Sequence, residues 1–208
     1  MPNLRQLLAA HAPLLLIDAA SARIQVGLLR AGTPARWASS GEESGVGVFR
    51  CLDELGVQPD EAGAFVFCDG PGSVLGIRTV AMALRTWTML KPRPMFAYHS
   101  LALVAQAIGR PEVHVIADAR RDTWHCLAMG EPLRRVPTGE LRGELIMPDG
   151  FRHWTPLPEG VARSPYILAE LLPRVQEQDL FRVVETPDAF LHEEPSYVTW
   201  TPQIHRAP

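Results

Sequence analysis

The hydrophobic positions change period along the chain. Residues 14–18 (LLLID) are an unbroken apolar run closed by an acid, which predicts a strand covered on both faces. Residues 23–29 (RIQVGLL) alternate, with Ile24, Val26 and Leu28 on one side, and 34–39 (PARWAS) follow after Gly32. These three segments predict an antiparallel meander. From 44 to 56 the period becomes helical: Val48, Leu52 and Leu55 share a face and Gly56 closes it. A buried strand is predicted at 62–69, a helix at 76–90, a strand at 94–99, and a helix with Ser100 as its N-cap.

The order then restarts. Residues 112–129 read as a strand ending in Asp118, a turn ARRD and an alternating strand 123–129, echoing the strand, Asp, turn, strand of residues 14–29. The echo predicts two lobes that begin alike. Residues 130–165 are rich in Pro, Gly and charge, and only short strands are predicted there, at 144–147 and 151–154. A helix at 165–178, ended or kinked by Pro173, a strand over LFRVVE and a tail EEPSYVTW complete the pattern, with residues 1–12 as a helical extension at the front. The expected division is a first lobe over 1–98, with the tail at about 192–208 packing back on it, and a second lobe over 99–191.

Composition narrows the class. The chain has 208 residues, 47% hydrophobic and 21% charged, as a globular protein does. A net charge of −3 gives no overall basic field for nucleic acid. Cys51, Cys68 and Cys126 are scattered, which suits a reducing cytosol better than a disulfide framework or a zinc site. The front apolar run is broken by Gln6, His11 and Pro13 and lacks a cleavage site, and no stretch is long enough to span a bilayer, so a cytoplasmic protein is expected. The seven histidines never fall at i, i+4 on one helix, and no Ser sits in a GxSxG elbow. No catalytic set or metal site is expected.

The stretch DGPGSVLGIR (69–78) is the one that invites chemistry. It is neither GxxxxGK[ST] nor GxGxxG, and no lysine follows its last glycine. Two readings stay open. Gly70, Pro71, Gly72, Ser73, Gly76 and Arg78 could present helix N–H groups and a cation to a phosphate, with Asp18 and Ser21 beside them. Alternatively the glycines let the helix pack closely on the sheet, and Asp18 closes an Asx turn. Asp118, Arg120, Arg121 and Asp122 read as a salt-bridge cluster at a hairpin tip.

Taken in order, LLLIDAASARIQVGLL, AFVFCDGPGSVLGIR, PMFAYHSLALVAQ, VIADARRDTWHCLAM and EPSYVTW resemble the TsaB (YeaZ) family, a glycoprotease-like group, from residue 14 to about 200. Gly70, Pro71, Gly72, Ser73, Gly76 and Arg78 match its core motif in register, Ser100 and Leu101 the following helix, Asp118, Ala119 and Arg120 its hairpin, and Pro195 and Tyr197 its tail. Val74-Leu75 replaces the family's Phe-Thr and the first turn reads DAAS, so the chain resembles a divergent member. The resemblance implies an α/β fold of actin-like (RNase H-like) duplicated architecture, with mixed sheets flanked by helices. It implies a non-catalytic subunit that binds and activates a TsaD-like transferase in threonylcarbamoyl-adenosine modification of tRNA. A TsaE-like ATPase would join the assembly, tRNA would be reached only through the complex, and a homodimer is the alternative state. No cofactor would be required by this chain, with ATP and magnesium confined to a complex interface. The two first-lobe helices would carry the partner face, for which Val48, Leu52, Leu55, Val80, Leu84 and Trp87 are the candidates. The competing functions are a nucleotide hydrolase or phosphotransferase using Asp18, Ser21 and the glycine loop, and a relative that kept the fold and changed its protein partner.

Overall fold

The computed structural model describes residues 1–190. Eleven strands form two sheets whose topology repeats. In the first, β1 (Leu14–Asp18), β2 (Ile24–Leu29) and β3 (Arg36–Ser40) run as an antiparallel meander. Next, β4 (Ala64–Gly70) and β5 (Met95–His99) add in parallel on the other side of β1. In the second sheet β6 (Val113–Asp118), β7 (Thr123–Ala128) and β8 (Arg134–Pro137) repeat the meander, and β9 (Glu144–Pro148) and β10 (Ala162–Ser164) repeat the parallel additions. Over five strands the two sheets thus share one order, and the echo between residues 14–29 and 112–129 marks its first hairpin.

The two faces of the first sheet explain why β1 has no polar gap. Side chains alternate along a strand. Leu15 and Ile17 therefore pack under helices α2 (Ser44–Leu55) and α3 (Val74–Leu90). Leu14 and Leu16 join a second core that runs through α4 (Ser100–Ile108) into the second sheet and α5 (Leu168–Arg174). Helix α2 ends as its sequence requires, with Gly56 in the left-handed conformation. Helix α1 (Leu4–His11) buries Leu4 and Leu7 and is fastened by Arg5 N–H to Gln176 O and by Phe181 N–H to Pro2 O.

Several expectations are corrected. Ser100 is not an N-cap: His99 holds that position, and the Ser100 hydroxyl donates to Pro71 O at 2.5 Å. No strand forms at 151–154; the segment is a loop, and the second sheet takes its last strands from 134–137 and 162–164. The chain also returns to the first sheet earlier than 192. Strand β11 (Arg182–Val183) pairs antiparallel with β5. The tail at 192–208, with Pro195 and Tyr197, lies outside the described residues.

Candidate functional site

The glycine turn joins β4 to α3 and lies against the first hairpin. A Cβ on Gly76 would stand 2.4 Å from Ala19 O, and one on Gly72 the same distance from Ala20 O. Ser73 N–H donates to Ala20 O at 2.7 Å, and the Ser73 hydroxyl accepts from Gly76 N–H as the helix N-cap. The glycines therefore admit the backbone of residues 19–20, the chain's own scaffold. Gly70 sits left-handed at φ 120, and Arg78 points to Asp188 across 3.7 Å.

Asp18 is sealed. Its carboxylate is fully buried; Oδ1 accepts from Ala20 N–H at 2.8 Å, the Asx turn, and Oδ2 accepts from the Tyr98 and Tyr166 hydroxyls, each at 2.6 Å. Burial raises its pKa above the usual carboxylate range, against the pull of the Tyr166, Tyr98 and Ala20 hydrogen bonds. Burial likewise pushes Cys68, Tyr98 and Tyr166 well up. Ser21 is spent locally, its hydroxyl donating to Arg23 O at 2.8 Å and accepting from Arg23 N–H. Magnesium needs open oxygen ligands, and Asp18 offers none. Of the pieces named for the phosphotransferase arrangement, Asp18 is thus closed off, while Ser21, Ser73 and Gly76 line a cleft of about 350 Å3 with Ser44 and Thr79. Among the described residues no group of three His, Cys, Asp or Glu could hold a metal.

A cleft of about 500 Å3 separates the lobes, walled by the glycine turn on one side and by Asp118, Ala119, Arg120 and the 151–154 loop on the other. Its two acids are both engaged. Asp69 is buried against Arg182, with His99 Nδ1 2.8 Å from its Oδ1. Asp118 accepts from the backbone N–H groups of Arg120, Trp154 and Thr155. Burial pushes Asp118 up, but these hydrogen bonds outweigh it and hold the carboxyl below its ordinary value. The predicted salt-bridge cluster is corrected accordingly: Asp118 binds backbone, Asp122 accepts from the Thr138 hydroxyl, and Arg120 stacks on Trp154.

The partner-face candidates need the same care. Val48, Leu52, Leu55, Val80 and Leu84 are all buried under α2 and α3, and Trp87 is half-buried against Phe65 and Phe49. Val48, Leu52, Leu55, Val80 and Leu84 form the inner stripe that covers the sheet, while Trp87 keeps a partly exposed edge. The outer stripe of α3 is different. Leu75, Met82 and Met89 are 77%, 57% and 85% exposed, with Thr79 and Thr86 between them. The two threonine hydroxyls donate back to Leu75 O and Met82 O, so the stripe has little left to offer water. The spacing i, i+4, i+7, i+11, i+14 is that of a helix-pairing seam. Val46 and Phe49 are likewise exposed on α2, where Phe49 meets Trp87 of α3 edge-on.

The fold and this surface can be set beside solved structures. YeaZ from Pseudomonas aeruginosa superposes with a TM-score of 0.56 at 24% identity, covering 77% of this chain and 88% of that one. A crystal structure described as an uncharacterized protein with similarity to peptidase YeaZ from Pseudomonas aeruginosa gives 0.55, with the same identity and coverage. The chain has the YeaZ fold. The two helix-flanked mixed sheets with a repeated strand order agree with the duplicated α/β architecture expected of the sequence. No family model matches the chain, and no curated protein does. Within this YeaZ fold no described helix is long and apolar enough to cross a membrane. Sequence reasoning expected a partner face on α2 and α3 but did not name the outer stripe of α3, although its heptad spacing is legible. Tyr98 and Tyr166, 68 positions apart in sequence, carried no signal of a shared carboxylate.

Proposed function

We propose that the chain is a divergent TsaB/YeaZ-like subunit, non-catalytic by itself. In this reading it pairs with a TsaD-like transferase and so supports threonylcarbamoyl-adenosine modification of tRNA in the cytoplasm. The observation that carries the reading is the outer seam on α2 and α3, Val46, Phe49, Leu75, Met82, Met89 and Leu90. A contiguous apolar stripe of this kind marks a protein interface on a soluble domain. The YeaZ fold supports the choice of partner class, and the sealed state of Asp18 speaks against phosphoryl chemistry through it. A TsaE-like ATPase would join the assembly afterwards.

The test is light scattering after size-exclusion chromatography, with the chain alone and mixed with the TsaD homologue of the same source. A one-to-one complex is expected, or a homodimer that the transferase converts to a heterodimer. Met82→Glu should abolish either species, because a charge is placed in the middle of the seam. A strict monomer indifferent to the transferase would sink the proposal.

A further inference from the structure

We propose that the surface around Trp154 binds single-stranded nucleic acid, with the Trp154 indole and the Arg120 guanidinium as the stacking platform for an unpaired base. The proposal stands apart from the pairing seam, since no seam residue supplies the platform. Trp154 is 61% exposed and lies where three grooves meet. One runs along residues 149–154 and Arg163, one along Arg120, Arg121, Asp122 and Pro156, and the third is the interlobe cleft. The Arg120 guanidinium stands 3.7 Å from the indole centroid, so the two flat groups are already stacked.

The backbone is shaped to keep them so. Arg120, Arg121 and Asp122 are all left-handed, with φ of 63, 52 and 57. Non-glycine residues rarely adopt this conformation even singly. The turn is anchored by Asp118, whose carboxylate gathers the N–H groups of Arg120, Trp154 and Thr155 and the Thr155 hydroxyl. One carboxylate therefore ties the hairpin carrying Arg120 to the loop carrying Trp154. A strained turn fixed in this way is characteristic of a working surface.

Charge points the same way. Arg121, Arg152 and Arg163 are exposed and make no ion pair among the described residues. Of the acids lining the three grooves, Asp69 is paired with Arg182, Asp118 and Asp122 accept hydrogen bonds from neutral donors and keep their charge, and Asp149 is exposed. The grooves are therefore lined by five arginines (Arg78, Arg120, Arg121, Arg152 and Arg163) against four acids (Asp69, Asp118, Asp122 and Asp149), a small cationic excess on a chain whose net charge is −3. Arginines alone would suit any polyanion. A flat indole–guanidinium pair adds a π platform, which an acidic peptide cannot use and an unstacked base can.

The experiment is fluorescence anisotropy of a labelled oligothymidylate dodecamer titrated with the full chain at several salt concentrations. Saturable, salt-dependent binding is expected, weakened roughly tenfold by Trp154→Ala, within the range found for single stacking residues. Arg121→Ala and Arg152→Ala should each flatten the log–log salt slope by about 0.7. Urea unfolding of each variant establishes that it is folded. The proposal is overturned by three results: no saturable binding at low salt, a folded Trp154→Ala variant that binds as tightly as the parent, or polyglutamate competing as well as unlabelled oligothymidylate.

Discussion

Replacing Gly76 by Ala sets two known effects against each other. Gly76 lies in the first turn of α3, and Ala in a helix is better than Gly by about 1 kcal/mol. Against this, the new Cβ would stand 2.4 Å from Ala19 O, where ordinary contact begins at 3.4 Å. The obstacle is backbone, and it cannot retreat: Asp18 Oδ1 holds Ala20 N–H, and Ala20 O holds Ser73 N–H. Helix α3 must therefore move by about 1 Å, and overpacking of this kind costs about 1–3 kcal/mol. The clash wins, and a net loss of about 1–2 kcal/mol is expected. Gly45 is the control. It is also in the first turn of a helix, but an added Cβ meets nothing within 4 Å, so Gly45→Ala should stabilise by up to about 1 kcal/mol. The assay is urea unfolding followed by tryptophan fluorescence, with midpoints compared at constant slope. If Gly76→Ala matched or exceeded the parent while Gly45→Ala gained stability, the scaffold account of the glycine turn would be wrong.

Asp18 provides a prediction in pH. Because burial raises its folded pKa above 3.8, the group's favourable contribution is complete below 3.8. It is lost as pH rises through the raised value, at about 1.4 kcal/mol per pH unit. Asn at this position does not titrate, so the stability of Asp18→Asn relative to the parent should improve from acid to neutral pH; a pH-independent difference would refute this. Arg182→Ala leaves the buried Asp69 carboxylate with His99 as its remaining side-chain partner and should cost about 1–3 kcal/mol in the same unfolding assay. Met82→Glu, at an exposed site, should change stability by no more than about 0.5 kcal/mol, so its effect on pairing can be read without a folding correction.

The legibility of the sequence varied with the physics behind each element. The hairpin of β1 and β2, β4 and α2 were legible because their periods and glycine stops agree with their tertiary surroundings. Helix α3 was legible as a helix but not in its orientation. It is apolar on both sides, and only the packed structure shows that Val80 and Leu84 face the sheet while Leu75, Met82 and Met89 face out. Strand β8 was missed because its sequence, RRVP, belongs to a sheet edge and has no apolar alternation. The loop carrying Trp154 was expected to be a short strand, although its two large aromatics stand three positions apart and do not alternate. In the structure Phe151 is buried and Trp154 exposed, with Asp118 claiming two of the loop's N–H groups. The glycine turn had two readings that differ only in what fills the space beside Gly72 and Gly76, and a one-dimensional pattern cannot supply that.

The fastening of α1 and β11 bears on the order in which the molecule assembles. Near the start of the given sequence, Pro2 and Arg5 find their backbone partners only at Phe181 and Gln176, and β5 gains its outer neighbour only at Arg182. A chain emerging from the ribosome can close the β1–β3 meander early and lay α1 against β1, but the backbone bonds that fasten α1 form only once residues 176–181 have been synthesised. Contacts of such long sequence separation slow folding and lengthen the exposure of sticky surface. Leu4 and Leu7 are therefore core positions whose final closure depends on residues more than 160 positions away.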